Sequence, residues 1–173
     1  MLSFRLSSHL PRPLLVAALL AVASCGFQLR GSYELPYQSV FVAAPSTSLV
    51  ASNIRRELTG SATKVLTSAK DADAQLNILE ERRDRQILSL SGAGRVREYE
   101  LKMVVRYQLN DGKGATVIPV SEIRLSRILA YDDSKIIAKQ QEEAMLYTDM
   151  ERDAVGQILR RMVVVKPNRT HAS

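Results

Sequence analysis

The sequence predicts an α+β fold: a two-layer sandwich with two helices packed on a mixed four-stranded sheet, in the order βαβββα. Three observations predict it. In "YELKMVVRYQL" (residues 99–109), Tyr99, Leu101, Met103, Val105, Tyr107 and Leu109 fall on one face, opposite Glu100, Lys102, Arg106 and Gln108, with Val104 the exception. That period of two is a long strand with one buried face. Two other stretches carry apolar residues at helical spacing, and each needs a sheet face to cover. Finally, a short apolar run precedes the first helix, an arrangement that favours parallel pairing through a right-handed crossover.

The chain opens on a targeting segment. "MLSFRLSSHLPRP" carries Arg5 and Arg12 and no acid, residues 14–22 are uncharged and apolar, and Ala23 and Ser24 are small. A positive start, a short apolar core and a small-residue exit make an export signal, too short to span a bilayer as a mature helix. Residues 1–24 are therefore set apart from the fold. "VASC" (residues 22–25) resembles a bacterial lipobox, in which the cysteine thiol takes a diacyl lipid such as a palmitate-bearing group and becomes the mature N-terminus. Cysteine is required there because its thiolate is the nucleophile. Gly26, and not Asp, follows Cys25, which leans toward the outer membrane. Cleavage before Cys25 leaves roughly 150 residues, one domain's worth with a real core. The formal net charge of +6 drops by two with Arg5 and Arg12, and moderate basicity suits an anionic partner such as lipid phosphate. With one cysteine, no intrachain disulfide can form.

Past the signal, residues 25–38 are mixed and proline-broken and read as a lipidated tether. The single α+β domain follows at 39–165. "SVFVA" (39–43) is a short buried strand. In "PSTSLVASNIRRELTG", Ser46, Thr47 and Ser48 offer N-caps, Val50, Ile54 and Leu58 recur every four residues, and Gly60 suits the end of a helix. "TKVL" and "AQLNILEERRDRQILSL" read as extended. Leu76 and Ile78 alternate with polar residues, but Ile87 and Leu88 are adjacent, so a bulge is expected beyond Asp84. "SGAG" (91–94) and "NDGKG" (110–114) are hairpin turns. "SEIRLSRILAY" (121–131) alternates through Ile123, Leu125, Leu129 and Tyr131, broken by Arg127.

The last element is a long helix capped by Asp133 or Ser134, with Glu142 and Glu143 toward its start and Arg160 and Arg161 at its end, as the helix dipole prefers. Ala144, Tyr147, Ala154, Val155, Ile158 and Met162 share a face. Leu146 and Met150 fall off it and are candidate contacts for a partner. The tail 166–173 reads as disordered.

No catalytic or metal centre is expected. The two histidines, His9 and His171, lie in the signal and the tail, Cys25 is consumed by lipid, and no phosphate loop, metal-ligand spacing or nucleophile elbow occurs. The expectation is a protein that is not an enzyme and uses no cofactor. Export leaves no role for nucleic-acid binding. The basic residues stand out instead. Arg82, Arg83 and Arg85 precede the first hairpin turn, and Arg95 and Arg97 follow it. A hairpin is expected to bring the five to one end, where guanidinium forks match phosphate oxygens.

"CGFQLRG" after the lipobox, "REYELKMVVRYQL", and "AKQQEEAMLYTDMERDAVGQILRRM", in that order, resemble the LPS-assembly lipoprotein family, the lipoprotein subunit of the outer-membrane lipopolysaccharide translocon. The resemblance runs from Cys25 to about Val163 and implies the same fold. It also implies a lipid-anchored protein on the periplasmic side of the cell outer membrane, which sits inside a large β-barrel partner, assists its assembly and contacts lipopolysaccharide. The family's basic residue in the "AK" step matches Lys139. Some relatives place an arginine at the hairpin tip, where this chain has Gly92 or Ala93; Arg95 is the nearest substitute. A lipoprotein scaffold or assembly factor of another envelope complex is the alternative.

Overall fold

The structure, a computed structural model, describes residues 33–165. The signal, Cys25, the first part of the tether and the tail lie outside the described residues. The elements are β1 (Ser39–Ala43), α1 (Leu49–Thr59), β2 (Lys64–Leu66), β3 (Ala74–Leu90), β4 (Val96–Asp111), β5 (Thr116–Ala130), a 3-10 turn (Asp133–Lys135) and α2 (Ile136–Val164). Two helices pack on one mixed sheet, as the sequence predicts, but the sheet has five strands, in the order β2-β1-β3-β4-β5. The addition is β2, from "TKVL". It runs parallel to β1, with Ser39 opposite Lys64, and the Lys64 amide donates to the Gln38 carbonyl at 2.9 Å. Three residues are enough to occupy an edge of β1 that would otherwise leave its polar groups unpaired.

β1 also pairs in parallel with β3, while β3–β4 and β4–β5 are antiparallel hairpins. Leu101, Met103, Val105, Tyr107 and Leu109 of β4 form the floor of the core, meeting Ala74, Leu76 and Ile78 of β3 and Ile118, Ile123 and Leu129 of β5. Helix α1 starts where Ser48 accepts from the Ala51 amide at 3.1 Å, and it buries Val50, Ala51, Ile54 and Leu58.

Helix α2 buries more than its amphipathic pattern suggests. Its buried set includes Tyr147, Met150, Glu151, Ala154, Val155, Ile158, Leu159 and Met162. Met150 and Leu159 are nine residues apart, which at 100° each is about 180° around the helix. Half the circumference is covered because α2 lies against both the sheet and α1. Met150 is accordingly fully buried, which corrects its reading as a partner contact; Leu146 is half-buried against the core. Ala144, assigned to the core face by its angle, is exposed.

The end of the tether is built into the domain. Tyr33 and Leu35 pack on the core, and the buried Tyr37 donates its hydroxyl to the Val165 carbonyl at 3.0 Å. Both chain ends of the described domain therefore meet at one end of the sheet, the base. The turn after β3 and the start of α2 lie at the other, distal end.

Met150→Ala should therefore destabilise the domain by about 2–5 kcal/mol, the range for emptying a packed core site. Leu146→Ala should cost no more than about 1 kcal/mol. Urea unfolding of the two variants checks this, and equal small losses would return Met150 to the surface.

Candidate functional site

One inserted residue sorts the charges of β3. Up to Ile78, the even-numbered residues of β3 face the helices. The pairing then shifts between Ile78 (opposite Tyr107) and Glu80 (opposite Arg106), leaving Leu79 unpaired and half-exposed. Such a bulge turns every later side chain to the other face. Glu81, Arg83, Arg85 and Ile87 now lie on the helix side, and Glu80, Arg82, Asp84 and Gln86 on the open side. A second shift, at Leu88 between Ile87 and Ser89, is the bulge the sequence places beyond Asp84; the first has no such signal.

On the helix side these charges form a network. Glu81 accepts from the Ser48 hydroxyl (2.7 Å) and from the Val50 amide (3.2 Å), so it completes the N-terminal cap of α1. Arg83 reaches Glu81 at 3.5 Å and the buried Glu151 of α2 at 2.7 Å, and Glu151 also accepts from Asn53 of α1 at 3.3 Å. One guanidinium thus joins β3, α1 and α2. Further along, Arg85 pairs with Glu143 at 2.9 Å and stacks over Tyr99 at 4.7 Å from the ring centre. Tyr147 donates to the Asp84 carbonyl at 2.8 Å, and burial, with Glu143 nearby, raises its phenol above the ordinary value.

On the open side, neighbouring charges neutralise one another. Glu80 meets Arg82 (3.4 Å) and Arg106 (3.5 Å), Glu100 meets Lys102 (3.1 Å), and Glu122 meets Arg124. Arg82, Asp84, Gln86, Lys102 and Arg124 line a shallow concavity of about 460 Å³ there.

The five hairpin arginines therefore do not converge. Arg82, Arg83 and Arg85 pair with positions 104, 103 and 101 of β4, whereas Arg95 and Arg97 flank the turn, near the Leu90–Val96 pair. Four or more residues of strand, about 13 Å, separate the two groups, and Arg82 points away from its neighbours Arg83 and Arg85. Only Arg95 and Arg97 stand at the tip, where Gly94 takes a left-handed backbone (φ 73°) to close the turn.

Helix α2 begins at this same end, because β5 finishes with Ala130 opposite Glu98 and the Tyr131 amide donates to the Arg97 carbonyl at 2.8 Å. Asp132 caps the intervening turn. Its carboxylate accepts from the Ser134 hydroxyl and amide, which hold it below its ordinary pKa. That support for the turn is present at neutral pH and fades as pH falls through the depressed value. Lys139, on the first turns of α2, is tied to Glu142 at 2.7 Å. Among the described residues, Arg95 and Arg97 have no carboxylate partner, while Arg82, Arg83, Arg85 and Lys139 all do.

Sequence reasoning passed over two features of this end. The first is the Glu81–Arg83–Glu151 network, hidden by a bulge with no compositional mark. The second is apolar. Ile87, Leu88, Leu90, Ile128, Ile136 and Ile137 are each 47–74% exposed, six of the eleven large apolar side chains exposed by 47% or more among the described residues. Their signal was doubled apolar residues, "IL" and "II", which fit neither a strand period nor a helix period.

This combination defines a class: a small α+β module whose sheet faces carry self-paired charges, with unpaired cations beside exposed apolar residues at its distal end. Solved structures of similar shape include lipoproteins. The chain is similar to the uncharacterized lipoprotein B from Nitrosomonas europaea (43% identity, TM-score 0.69, covering 80% of this chain and 90% of that one). The rare lipoprotein B from Shewanella oneidensis shares the fold (23% identity, TM-score 0.61, covering 72% and 92%). The family of lipopolysaccharide-assembly proteins, LptE, matches residues 37–162, and the chain belongs to that family. A further relative, the LPS-assembly lipoprotein LptE of Pectobacterium atrosepticum, is 24% identical over 152 residues, covering 86% of this chain and 82% of that protein.

Arg83→Ala would leave Glu81 and the buried Glu151 facing the same space without a counter-charge. The expected cost is about 2–4 kcal/mol, between a lost charged hydrogen bond and a broken buried pair. Arg82→Ala, on the solvated side, should cost under about 0.5 kcal/mol. Thermal and urea unfolding of the two variants measure the contrast.

Proposed function

We propose that this chain is a non-enzymatic outer-membrane lipoprotein, anchored on the periplasmic side through acylated Cys25. With a β-barrel partner whose assembly it assists, it assembles lipopolysaccharide at the outer-membrane surface. Membership of the lipopolysaccharide-assembly family supports the overall role. The lipobox at residues 22–25 supports the anchor, and no helix among the described residues is long and apolar enough to cross a membrane. One observation carries the direct contact with lipid: the uncommitted guanidiniums of Arg95 and Arg97 at the distal tip. Arg82, Arg83 and Arg85 are occupied by carboxylates and serve the domain. Lys139 stands close to the tip along α2 but must first be released from Glu142. The module then holds the phosphates of lipopolysaccharide by charge-assisted hydrogen bonds and weakens lipid–lipid packing, with no covalent step.

Arg95→Ala with Arg97→Ala should weaken lipopolysaccharide binding tenfold or more, since hydrogen bonds to charged groups are worth about 1.5–3 kcal/mol each. Lys139→Ala should have a smaller effect, and none of the three changes should move the melting temperature appreciably. Unchanged affinity in all variants would remove these positions from the lipid site. The anchor has its own check. Stable attachment needs more than one acyl chain, at about 0.8 kcal/mol per buried methylene, so the intact mass of the membrane-extracted protein should correspond to a chain beginning at a multiply acylated Cys25. An unmodified cysteine would refute the anchor.

A further inference from the structure

The exposed apolar residues of the distal end form a belt. Ile87 pairs with Tyr99 on the helix side of the sheet, the side on which α2 lies, whereas Ile128, opposite Glu100 and in line with Gln86, faces the open side and stands outside the belt. On the helix layer, Glu143 is fixed beside Arg85 by their ion pair. Ile136 lies seven residues before Glu143, about 10 Å further toward the tip at 1.5 Å per residue. Ile87 and Leu90 lie about 7 Å and 16 Å beyond Arg85 at 3.3 Å per residue. Ile136 and Ile137 therefore fall between Ile87 and Leu90 in height, and the belt is shared by β3 and α2.

An apolar belt of this kind is costly to leave in water and marks a contact surface. What it fits is fixed by its rim. Arg95 and Arg97 lie at the tip just above it, Lys135 immediately precedes Ile136, and Lys139 follows Ile137 by two residues. Arg95, Arg97 and Lys135 have no carboxylate partner among the described residues; of the acids at this end, Glu98 accepts from Ser89, Asp132 from Ser134 and Glu142 from Lys139, and Asp133 makes no ion pair among the described residues. A surface with free cations above and apolar side chains below complements a molecule with anionic groups at one end and hydrocarbon at the other.

We propose that Ile136 and Ile137, with Ile87, form an acyl-chain subsite: they hold hydrocarbon chains of the same amphiphile whose phosphates meet Arg95 and Arg97. The inference rests on the lipopolysaccharide reading given above and adds a second kind of recognition to it. Charge selects the phosphorylated head, and the belt takes acyl chains away from their neighbours, so the cost of exposing hydrocarbon to water is offset at the moment of extraction. The doubled isoleucines serve this because they sit at the first turn of α2, where both stay exposed and enter no core.

The test uses the full lipidated chain in mild detergent with two probes, intact lipopolysaccharide and its fully deacylated phosphosaccharide. Ile136→Ser with Ile137→Ser should weaken binding of intact lipopolysaccharide about tenfold and leave the phosphosaccharide unaffected, whereas Arg95→Ala with Arg97→Ala should weaken both. Ile87→Ser, on β3, is a second variant that cannot act through the start of α2; it should show the same selectivity, with a loss of a few-fold. Melting temperatures verify folding. Wild-type affinity of both isoleucine variants for intact lipopolysaccharide, beside a loss in the arginine variant, overturns the acyl subsite and leaves the charged contact standing. Equal loss for both probes in the isoleucine variants also overturns it, because the effect would not depend on acyl chains. If the unmodified protein binds neither probe, the lipopolysaccharide reading itself falls, and the subsite with it.

Discussion

The layout of this domain depends on the bulge at Leu79. Before it, β3 presents Leu76 and Ile78 to the helices in phase with Tyr107 and Leu109. After it, the strand would have turned a run of charged residues inward with nothing to receive them, had Glu81, Arg83 and Arg85 not met a helix N-terminus and two acids of α2. The network converts a break in the hydrophobic pattern into the joint between the two helices and the sheet. A buried carboxylate such as Glu151 is tolerated only because it is paired and hydrogen-bonded on two sides.

The same bulge shows why some of the structure could be read from sequence and some could not. Strand β4 is paired on both sides and covered on one face, so its composition alternates cleanly and its buried set was legible residue by residue. β3 has two phase shifts, and only the second is marked, by adjacent Ile87 and Leu88. The first is silent because charged residues stand on both faces after it, and nothing in "EERRDR" tells a solvated arginine from one that ends on Glu151. Met150 was misplaced for a related reason. A helical wheel gives the direction of the mean apolar face but not its width, and width is set by how many elements cover the helix. "TKVL" reads as extended, but β2 is not marked as a strand of its own because three residues carry no period.

The candidate site divides along the same line. The two sheet faces are electrically self-sufficient: Arg82, Arg83, Arg85, Arg106, Arg124 and Arg127 are each matched by an acid nearby on the sheet or across on α2, although Arg55, Arg56, Arg160 and Arg161 on the helices have no carboxylate partner among the described residues. At the distal end that matching stops, at Arg95, Arg97 and Lys135, in the place where apolar side chains also stop finding cover. Composition alone counts these residues the same as any others. Position relative to the end of α2's cover, a tertiary property, is what separates them.

The junction of Tyr37 with Val165 has a kinetic consequence. Its hydrogen bond spans 128 positions of sequence, and the parallel pairing of β1 with β3 likewise waits on a crossover through α1 and β2. The β3–β4–β5 meander, by contrast, closes through two short turns. Loop closure over long separations must be met before such contacts repay it, so they form late. The chain is expected to build its antiparallel blade first and seal its base last. The blade's β3 edge, destined for β1, then stays open until the crossover through α1 and β2 has closed, and this interval is when the unfinished domain is most exposed to pairing with strands that are not its own.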